Sequence, residues 1–233
     1  MRIVTSIDKL LHTISGWPGQ STASPGIVTG LPAIDSLLPA GGFATRSVHE
    51  VLGTTGFPSV ILPVLVARAA AKTGWIVWCD FARRFYPPGA IAMGLELDRL
   101  LLLRPKTQAD ELWAATECLH SAGVAVCIVA PPRLTVVQAR RLQLAAERGG
   151  GVGLVLRSAD AISRPYAAAT RWLVSPAPGE RTSQCWRMEL IHGHGGLIGQ
   201  SVLLEVCRET YHVRAVSPVV GRSGETKTTA ASA

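Results

Sequence analysis

Short apolar runs alternate with longer amphipathic segments from residue 27 onward, a pattern typical of a parallel sheet covered by helices on both faces. The pattern predicts strands at Ser47–Leu52, Trp75–Asp80, Leu100–Arg104, Ala125–Ala130 and Val152–Arg157, and helices at Leu62–Lys72, Pro88–Met93, Ala109–Ala122 and Val136–Arg148. Beyond Arg157, polar turns separate three further apolar runs, Arg171–Ser175, Cys185–Ile191 and Ser201–Cys207, which we interpret as antiparallel strands. We therefore expect an α/β fold: a mostly parallel, twisted sheet with an antiparallel C-terminal extension.

Both ends of the chain differ from this central region. Near the start, Ile7, Leu10, Leu11 and Ile14 follow helical spacing behind Ser6, a good N-cap residue, and a Gly- and Pro-rich stretch follows them. We predict an N-terminal helix and linker over residues 1–25, a core over residues 26–220, and a disordered tail rich in Ser, Thr, Gly and Ala over residues 221–233. The apolar face of the first helix is a candidate interaction surface, or it packs on its own core.

The predicted helix Val136–Arg148 carries the second candidate interaction surface. Its pattern assigns Val137, Leu142 and Leu144 to the buried side and places the basic pair Arg140 and Arg141 in solvent. The net charge of +7 favours an acidic partner or nucleic acid, although the 23 basic residues form only short clusters. DNA is therefore a candidate partner that the composition alone does not establish.

Composition limits the class of protein. A chain of 233 residues with 48% hydrophobic and 17% charged residues builds one sizeable core. The longest apolar region, residues 60–71, contains Pro63 and Arg68 and is shorter than a membrane helix, and no secretion signal pattern opens the chain. The five cysteines form no C-x-x-C pair and are expected to be buried hydrophobes. We expect a cytoplasmic protein with no membrane contact.

A phosphate-binding loop is expected where the first core strand ends, but its chemistry is missing. The pattern G-x-x-x-x-G-K-[ST] needs a lysine for the phosphates and a hydroxyl for magnesium. Counted from Gly53, those positions hold Ser59 and Val60, and the second glycine is Pro58. Gly53, Gly56 and Ser59 are thus a vestigial phosphate loop, with residual anion binding at a helix N-terminus as an alternative.

The surrounding segments resemble the RecA superfamily. Residues 29–43, T-G-L-P-A-I-D-S-L-L-P-A-G-G-F, are similar to the segment that precedes the phosphate loop in that superfamily. W-I-V-W-C-D at residues 75–80 and G-L-E-L-D-R-L-L at residues 94–101 are similar to the next strand and the segment after it. The resemblance covers most of residues 29–157 and implies a RecA-like core.

Within that superfamily the chain resembles the ImuA family of accessory proteins. Three features point there: L-L-P-A-G-G-F at residues 37–43, Pro63 inside the helix after the broken loop, and the ending G-G-L-I-G-Q-S-V-L-L-E at residues 195–205. The resemblance implies a role in error-prone translesion DNA synthesis during the SOS response. It also implies as partners an ImuB-type Y-family polymerase homologue and an error-prone C-family DNA polymerase, with RecA as a further candidate.

The groups that a RecA-type ATPase needs are absent from the aligned positions. Besides the loop lysine, such an enzyme needs a carboxylate to activate water and an acidic residue for magnesium. Ala82 occupies the first of these positions, and Ala130 and Pro131 the second. We predict no catalytic residues, no enzyme activity and no cofactor.

Three alternatives stay open at this point. A cell-division inhibitor of the SulA type, which binds FtsZ, shares the degenerate RecA-like fold. A divergent RecA-type ATPase would keep nucleotide binding, and a simple DNA-binding module would bind with a steep salt dependence. His192 and His194 lie in a glycine-rich turn that we interpret as a turn and not as a metal site, because a metal site needs three or four ligands.

Overall fold

In the described part of the chain, the strands form a single mixed sheet of ten strands. The structure, a computed structural model, describes the strand Arg2–Val4 and residues 26–39, 41–53, 60–193 and 195–216. The strands are β1 Arg2–Val4, β2 Ser47–Gly53, β3 Trp75–Cys79, β4 Leu100–Leu103, β5 Val124–Val129, β6 Val152–Ser158, β7 Thr170–Ala177, β8 Ser183–Gly193, β9 Ser201–Cys207 and β10 Val213–Ala215. Their order across the sheet is β1-β4-β3-β5-β6-β2-β7-β8-β9-β10.

Helices cover both faces of the parallel half of the sheet. They are α1 Pro32–Asp35, α2 Ile61–Ala70, α3 Pro87–Ala92, α4 Gln108–His120 and α5 Val136–Gly149, with 3-10 turns at Leu97–Arg99 and Ala159–Ala161. Side chains alternate across the central strands: Ile76 and Trp78 join the core beneath α2, whereas Val77 and Cys79 join the core beneath α4 and α5. The predicted α/β fold with an antiparallel C-terminal extension is confirmed.

Sequence signals explain where the principal helices start and stop. Thr107 caps α4 by accepting from Asp110 N at 3.1 Å, and Thr135 forms a capping box with Gln138 at the start of α5. Gly150, with φ of 91°, ends α5 in the left-handed conformation that glycine tolerates best. Pro63 lies in the first turn of α2, where its missing N–H has no partner within the helix in any case.

The direction of β7 differs from the prediction. Arg171–Ser175 was expected to be an antiparallel strand, but β7 pairs in parallel with β2 over residues 170–174 and only its other edge, against β8, is antiparallel. Residue pattern reports which face of a strand is buried, but not which way a neighbouring strand runs. The switch from parallel to antiparallel pairing therefore lies one strand later than expected.

Two other expectations need correction. Val137 and Leu144 are 63% and 39% exposed, so α5 buries Leu142 together with the small residues Ala139, Ala145, Ala146 and Gly149 instead. The short elements β1, α1 and β10 were not predicted. The predicted N-terminal helix with Ile7, Leu10, Leu11 and Ile14, and the predicted tail over residues 221–233, lie outside the described residues.

The cysteines and tryptophans lie in apolar surroundings. All five cysteines are free, with Cys207 half-buried and the other four buried. Trp172 is fully buried, and Trp186 packs partly buried against the same core. Within the described part of the chain, no helix is long and apolar enough to cross a membrane.

Candidate functional site

A cavity of about 330 Å³ opens at the carboxyl ends of β2, β3, β5 and β6. Ligands of open α/β sheets bind at this edge, because loops and helix N-termini converge there. The lining residues come from strand ends and from the helices behind them: Gly53, Val60, Trp78, Cys79, Asp80, Ala82, Arg84, Phe85, Glu111, Ala130, Pro131, Pro132, Leu156, Arg157 and Ser158. Of the vestigial loop, Gly53 lines the cavity, whereas Gly56 and Ser59 lie outside the described residues.

The cavity wall holds nonpolar residues at the positions where the resemblance places catalytic acids. Ala82 follows β3, and Ala130 and Pro131 follow β5, and all three line the cavity. A methyl group or a pyrrolidine ring neither activates water nor binds magnesium. These three side chains offer no chemistry for nucleotide hydrolysis.

Asp80, the last residue of the predicted strand, organises the loop that follows β3. Its Oδ1 accepts hydrogen bonds from Arg84 N at 2.6 Å and Phe85 N at 3.2 Å. Its Oδ2 lies 3.9 Å from Arg104 Nε, an ion pair without a hydrogen bond. Asp80 thus stabilises a turn, and this turn positions Phe85. The centres of the Phe85 and Trp78 rings, both in the cavity wall, lie 4.4 Å apart.

Glu111 places a second buried carboxyl group beside this loop. It projects from α4 with its Oε1 accepting from Phe81 N at 3.2 Å, while Oε2 has no hydrogen-bond partner among the described residues. Burial raises the pKa of Glu111 to about 7; the Phe81 hydrogen bond opposes this rise, and the negative charge of Asp80 adds to it. The carboxyl group therefore keeps its proton to a higher pH than a glutamate in water does, a property that the sequence did not reveal.

A buried ion cluster connects the three strands at the centre of the sheet. Glu50 on β2 accepts from Arg157 Nη1 on β6 and from Arg171 Nε on β7, at 2.5 Å each. Arg171 also donates to the carbonyl oxygens of Ile162 at 2.9 Å and Ala161 at 2.8 Å. Sequence reasoning missed this cluster, although a charged residue inside each of three apolar strands was a usable signal.

The remaining predicted site residues lie away from the cavity. Arg140 and Arg141 are exposed on α5 and do not line the cavity. His192 is half-buried with its ring 4.9 Å from the ring of Tyr166, and His194 lies outside the described residues. Among the residues that the structure describes, no group of His, Cys, Asp and Glu could hold a metal ion.

Comparison with known proteins identifies the fold. No family model matches the chain. The solved structure of the RadB recombinase superposes with a TM-score of 0.64 and 16% sequence identity, covering 82% of this chain and 100% of that one.

The chain has a RecA-like fold.

Sequence relatives agree with the RecA-like assignment. The chain is similar to the protein ImuA of Caulobacter vibrioides, with 29% identity over 213 residues, 79% of this chain and 85% of that protein. RecA of Methylococcus capsulatus is 31% identical over 104 residues, 44% of this chain and 30% of that protein. The cell division inhibitor SulA of Photorhabdus laumondii is 25% identical over 112 residues, 48% of this chain and 63% of that protein. The predicted resemblance to the RecA superfamily and to ImuA is confirmed.

Proposed function

We propose that this chain is a non-catalytic RecA-like accessory protein of error-prone DNA synthesis in the SOS response, acting through contacts with other proteins. Similarity to ImuA along most of both chains supports the role in SOS mutagenesis. The partners that this role implies are an ImuB-type Y-family polymerase homologue and an error-prone C-family DNA polymerase, with RecA as a further candidate.

The observation that carries the non-catalytic part is the composition of the cavity wall. Ala82, Ala130 and Pro131 surround the space in which a RecA-type enzyme would need a general base and a magnesium ligand. Among the described residues of the lining, the carboxyl groups are those of Asp80, whose Oδ1 accepts from backbone amides, and Glu111, whose Oε1 accepts from Phe81 N. Each of them uses one carboxylate oxygen to hold the loop after β3, and neither lies at the position that the resemblance assigns to the general base.

A biochemical experiment tests this part. The purified chain is mixed with a fluorescent ATP analogue and magnesium, and phosphate release is followed in parallel. We expect no phosphate release above the buffer rate and no saturable binding at micromolar protein. Saturable binding that a Gly53→Asp substitution abolishes would instead favour the divergent-ATPase alternative, because Gly53 lines the cavity and a carboxylate there would repel phosphate.

A cellular experiment tests the role in mutagenesis. Deletion of the gene in its host should lower DNA-damage-induced mutation without changing cell-division arrest, and the tagged chain should recover polymerase homologues or RecA after damage. Recovery of FtsZ without polymerases, together with loss of division arrest, would replace the proposal with the SulA-type alternative. Because the similarity to SulA covers 48% of the chain, the division-inhibitor function is the first alternative to test.

A further inference from the structure

The outward side of α5 presents aliphatic and basic side chains together. Val137, Arg140, Arg141, Leu144 and Arg148 follow helical spacing and project away from the sheet; we call these five residues the α5 face. Val137 and Leu144 are 63% and 39% exposed and lie two turns apart, about 10 Å along the helix axis. The α5 face therefore offers a partner exposed aliphatic surface beside basic side chains.

The charge of the α5 face is one-sided. Its three charged members are all arginines, and Glu147 of the same helix lies at its margin. Glu147 Oε1 lies 3.8 Å from Arg140 Nη1 and also accepts from Gln143 Nε2 at 3.0 Å. No carboxylate of the described residues forms an ion pair with Arg141 or Arg148. The face therefore keeps two positive charges for an acidic partner.

A groove with an aromatic wall adjoins the α5 face. It encloses about 500 Å³ between α5 and residues 166–169, and its lining includes Arg140, Tyr166 and His192. Tyr166 is held from two sides, because the Arg171 guanidinium lies 4.1 Å from the centre of its ring and the His192 ring meets it edge-on at 4.9 Å. A fixed aromatic wall beside a basic helix offers a place for one apolar side chain of a ligand.

A protein partner matches the mixed aliphatic and basic side chains of the α5 face better than a nucleic acid does. A DNA backbone would use the arginines but would leave Val137 and Leu144 in water, since phosphates offer no apolar surface. An amphipathic helix would use both, with aliphatic residues packing between its flanking carboxylates. We propose that the α5 face, with the Tyr166 groove, docks an acidic amphipathic helix of a partner protein; this deepens the proposed function, which assumes a protein partner.

Binding of a defined peptide tests the proposal. The probe is a fluorescent, helix-forming peptide of Leu, Ala and Glu, with Leu on one face and Glu on its flanks, measured by anisotropy against the purified full chain. Arg141→Glu combined with Arg148→Glu should weaken binding by about tenfold or more, because like charges then face each other. The matched control, Lys72→Glu with Arg181→Glu, makes the same change in net charge at exposed positions outside the α5 face and should change affinity by less than about twofold.

Two further measurements distinguish specific docking of the peptide from general electrostatic attraction. Leu144→Ser should weaken binding, whereas Ile91→Ser, which alters a 51% exposed side chain on α3, should not. A peptide with Lys in place of Glu should prefer the Arg141→Glu, Arg148→Glu variant over the parent chain. Equal losses in the control variants, or no saturable binding of the acidic peptide, would overturn the proposal.

A nucleic-acid arm decides between the two classes of partner. If duplex DNA binds in an Arg141- and Arg148-dependent way and the acidic peptide does not, the α5 face is a DNA interface and the proposal is wrong. These measurements use purified components, so they can succeed even if deletion of the gene leaves damage-induced mutation unchanged. In that outcome the docking site stands and the proposed role in mutagenesis fails.

Discussion

His49 and Thr170 lie opposite each other on the parallel strands β2 and β7, with His49 Nδ1 2.8 Å from Thr170 Oγ1. His49 Nε2 lies 2.9 Å from the carbonyl oxygen of Ala44, which can only accept, so Nε2 carries the proton and Nδ1 accepts from the Thr170 hydroxyl. Trp172 Nε1 then donates to the same hydroxyl oxygen at 3.1 Å. This chain of hydrogen bonds is complete only while His49 is neutral.

Acidification should therefore destabilise the fold through His49. Burial lowers the pKa of His49 from 6.5 to about 4, against the opposing effect of its hydrogen bond to Ala44. The unfolded chain takes up this proton near pH 6.5 and the folded chain does not, so the free energy of unfolding falls as the pH drops from 6.5 to about 4. Urea unfolding across this range should show a steeper fall for the parent than for His49→Gln, and parallel curves would contradict the assignment.

Glu111 should have the opposite effect on the pH dependence of stability, with the fold losing stability as the pH rises. Burial raises its pKa from 4.5 to about 7, so the unfolded chain releases this proton first and folding loses stability as the pH rises from 4.5 to about 7. Glu111→Gln should be more stable than the parent by about 3 kcal/mol at pH values above 7, and this advantage should vanish near pH 4. Urea unfolding at both ends of the range measures it. An equal stability difference between Glu111→Gln and the parent at both ends of the range would contradict this prediction.

Removal of the central carboxylate should be far more harmful than removal of a surface one. Glu50→Ala leaves the buried Arg157 and Arg171 without their anion, and such a loss costs about 3–5 kcal/mol of unfolding free energy. Glu205→Ala removes a pair with the largely exposed Arg214 and should have little effect. Denaturant unfolding of the two variants provides the comparison. Similar losses for both would mean that the buried cluster contributes no special stability.

Gly149 should tolerate no side chain. A Cβ there would lie 2.0 Å from the carbonyl oxygen of Leu119, a backbone atom at the end of α4 that cannot turn aside. Gly149→Ala should destabilise the fold by about 2 kcal/mol or more, because the two helices must separate. Gly89→Ala on α3 is the matched helical control. Its Cβ would lie 3.1 Å from the ring of Tyr86, an exposed side chain that can move, so this substitution should have little effect on stability. Thermal unfolding would rank the two, and an equal effect would contradict the close packing of α4 on α5.

Local patterns predicted the sheet well because its central strands are buried on both faces. Runs such as W-I-V-W-C at residues 75–79 and V-A-V-C-I-V at residues 124–129 differ sharply from the amphipathic helices between them. Strand direction escaped the same reasoning, since β7 looks alike whether it runs parallel or antiparallel to β2. β1 and β10 have three residues each, too few for a period to show.

The sequence indicated which catalytic groups the candidate site lacks better than it indicated which groups the site contains. The resemblance assigned Ala82, Ala130 and Pro131 to the positions of catalytic acids, and all three line the cavity in the structure. It could not predict that Glu111 would meet the loop after β3, because that contact joins residues 30 positions apart along the chain. The burial of α5 was assigned wrongly at Val137 and Leu144 because alanines and a glycine allow a closer approach than the larger aliphatic residues do.

The position of β2 determines when the protein can fold during its synthesis. β2 lies in the middle of the sheet, between β6 and β7, yet both neighbours are made about a hundred residues after it. A nascent chain that ends before Thr170 would leave one edge of β2 open and Glu50 without Arg171. Contacts of such long range slow folding, so we expect the ribosome to release most of the chain before the central strand is enclosed.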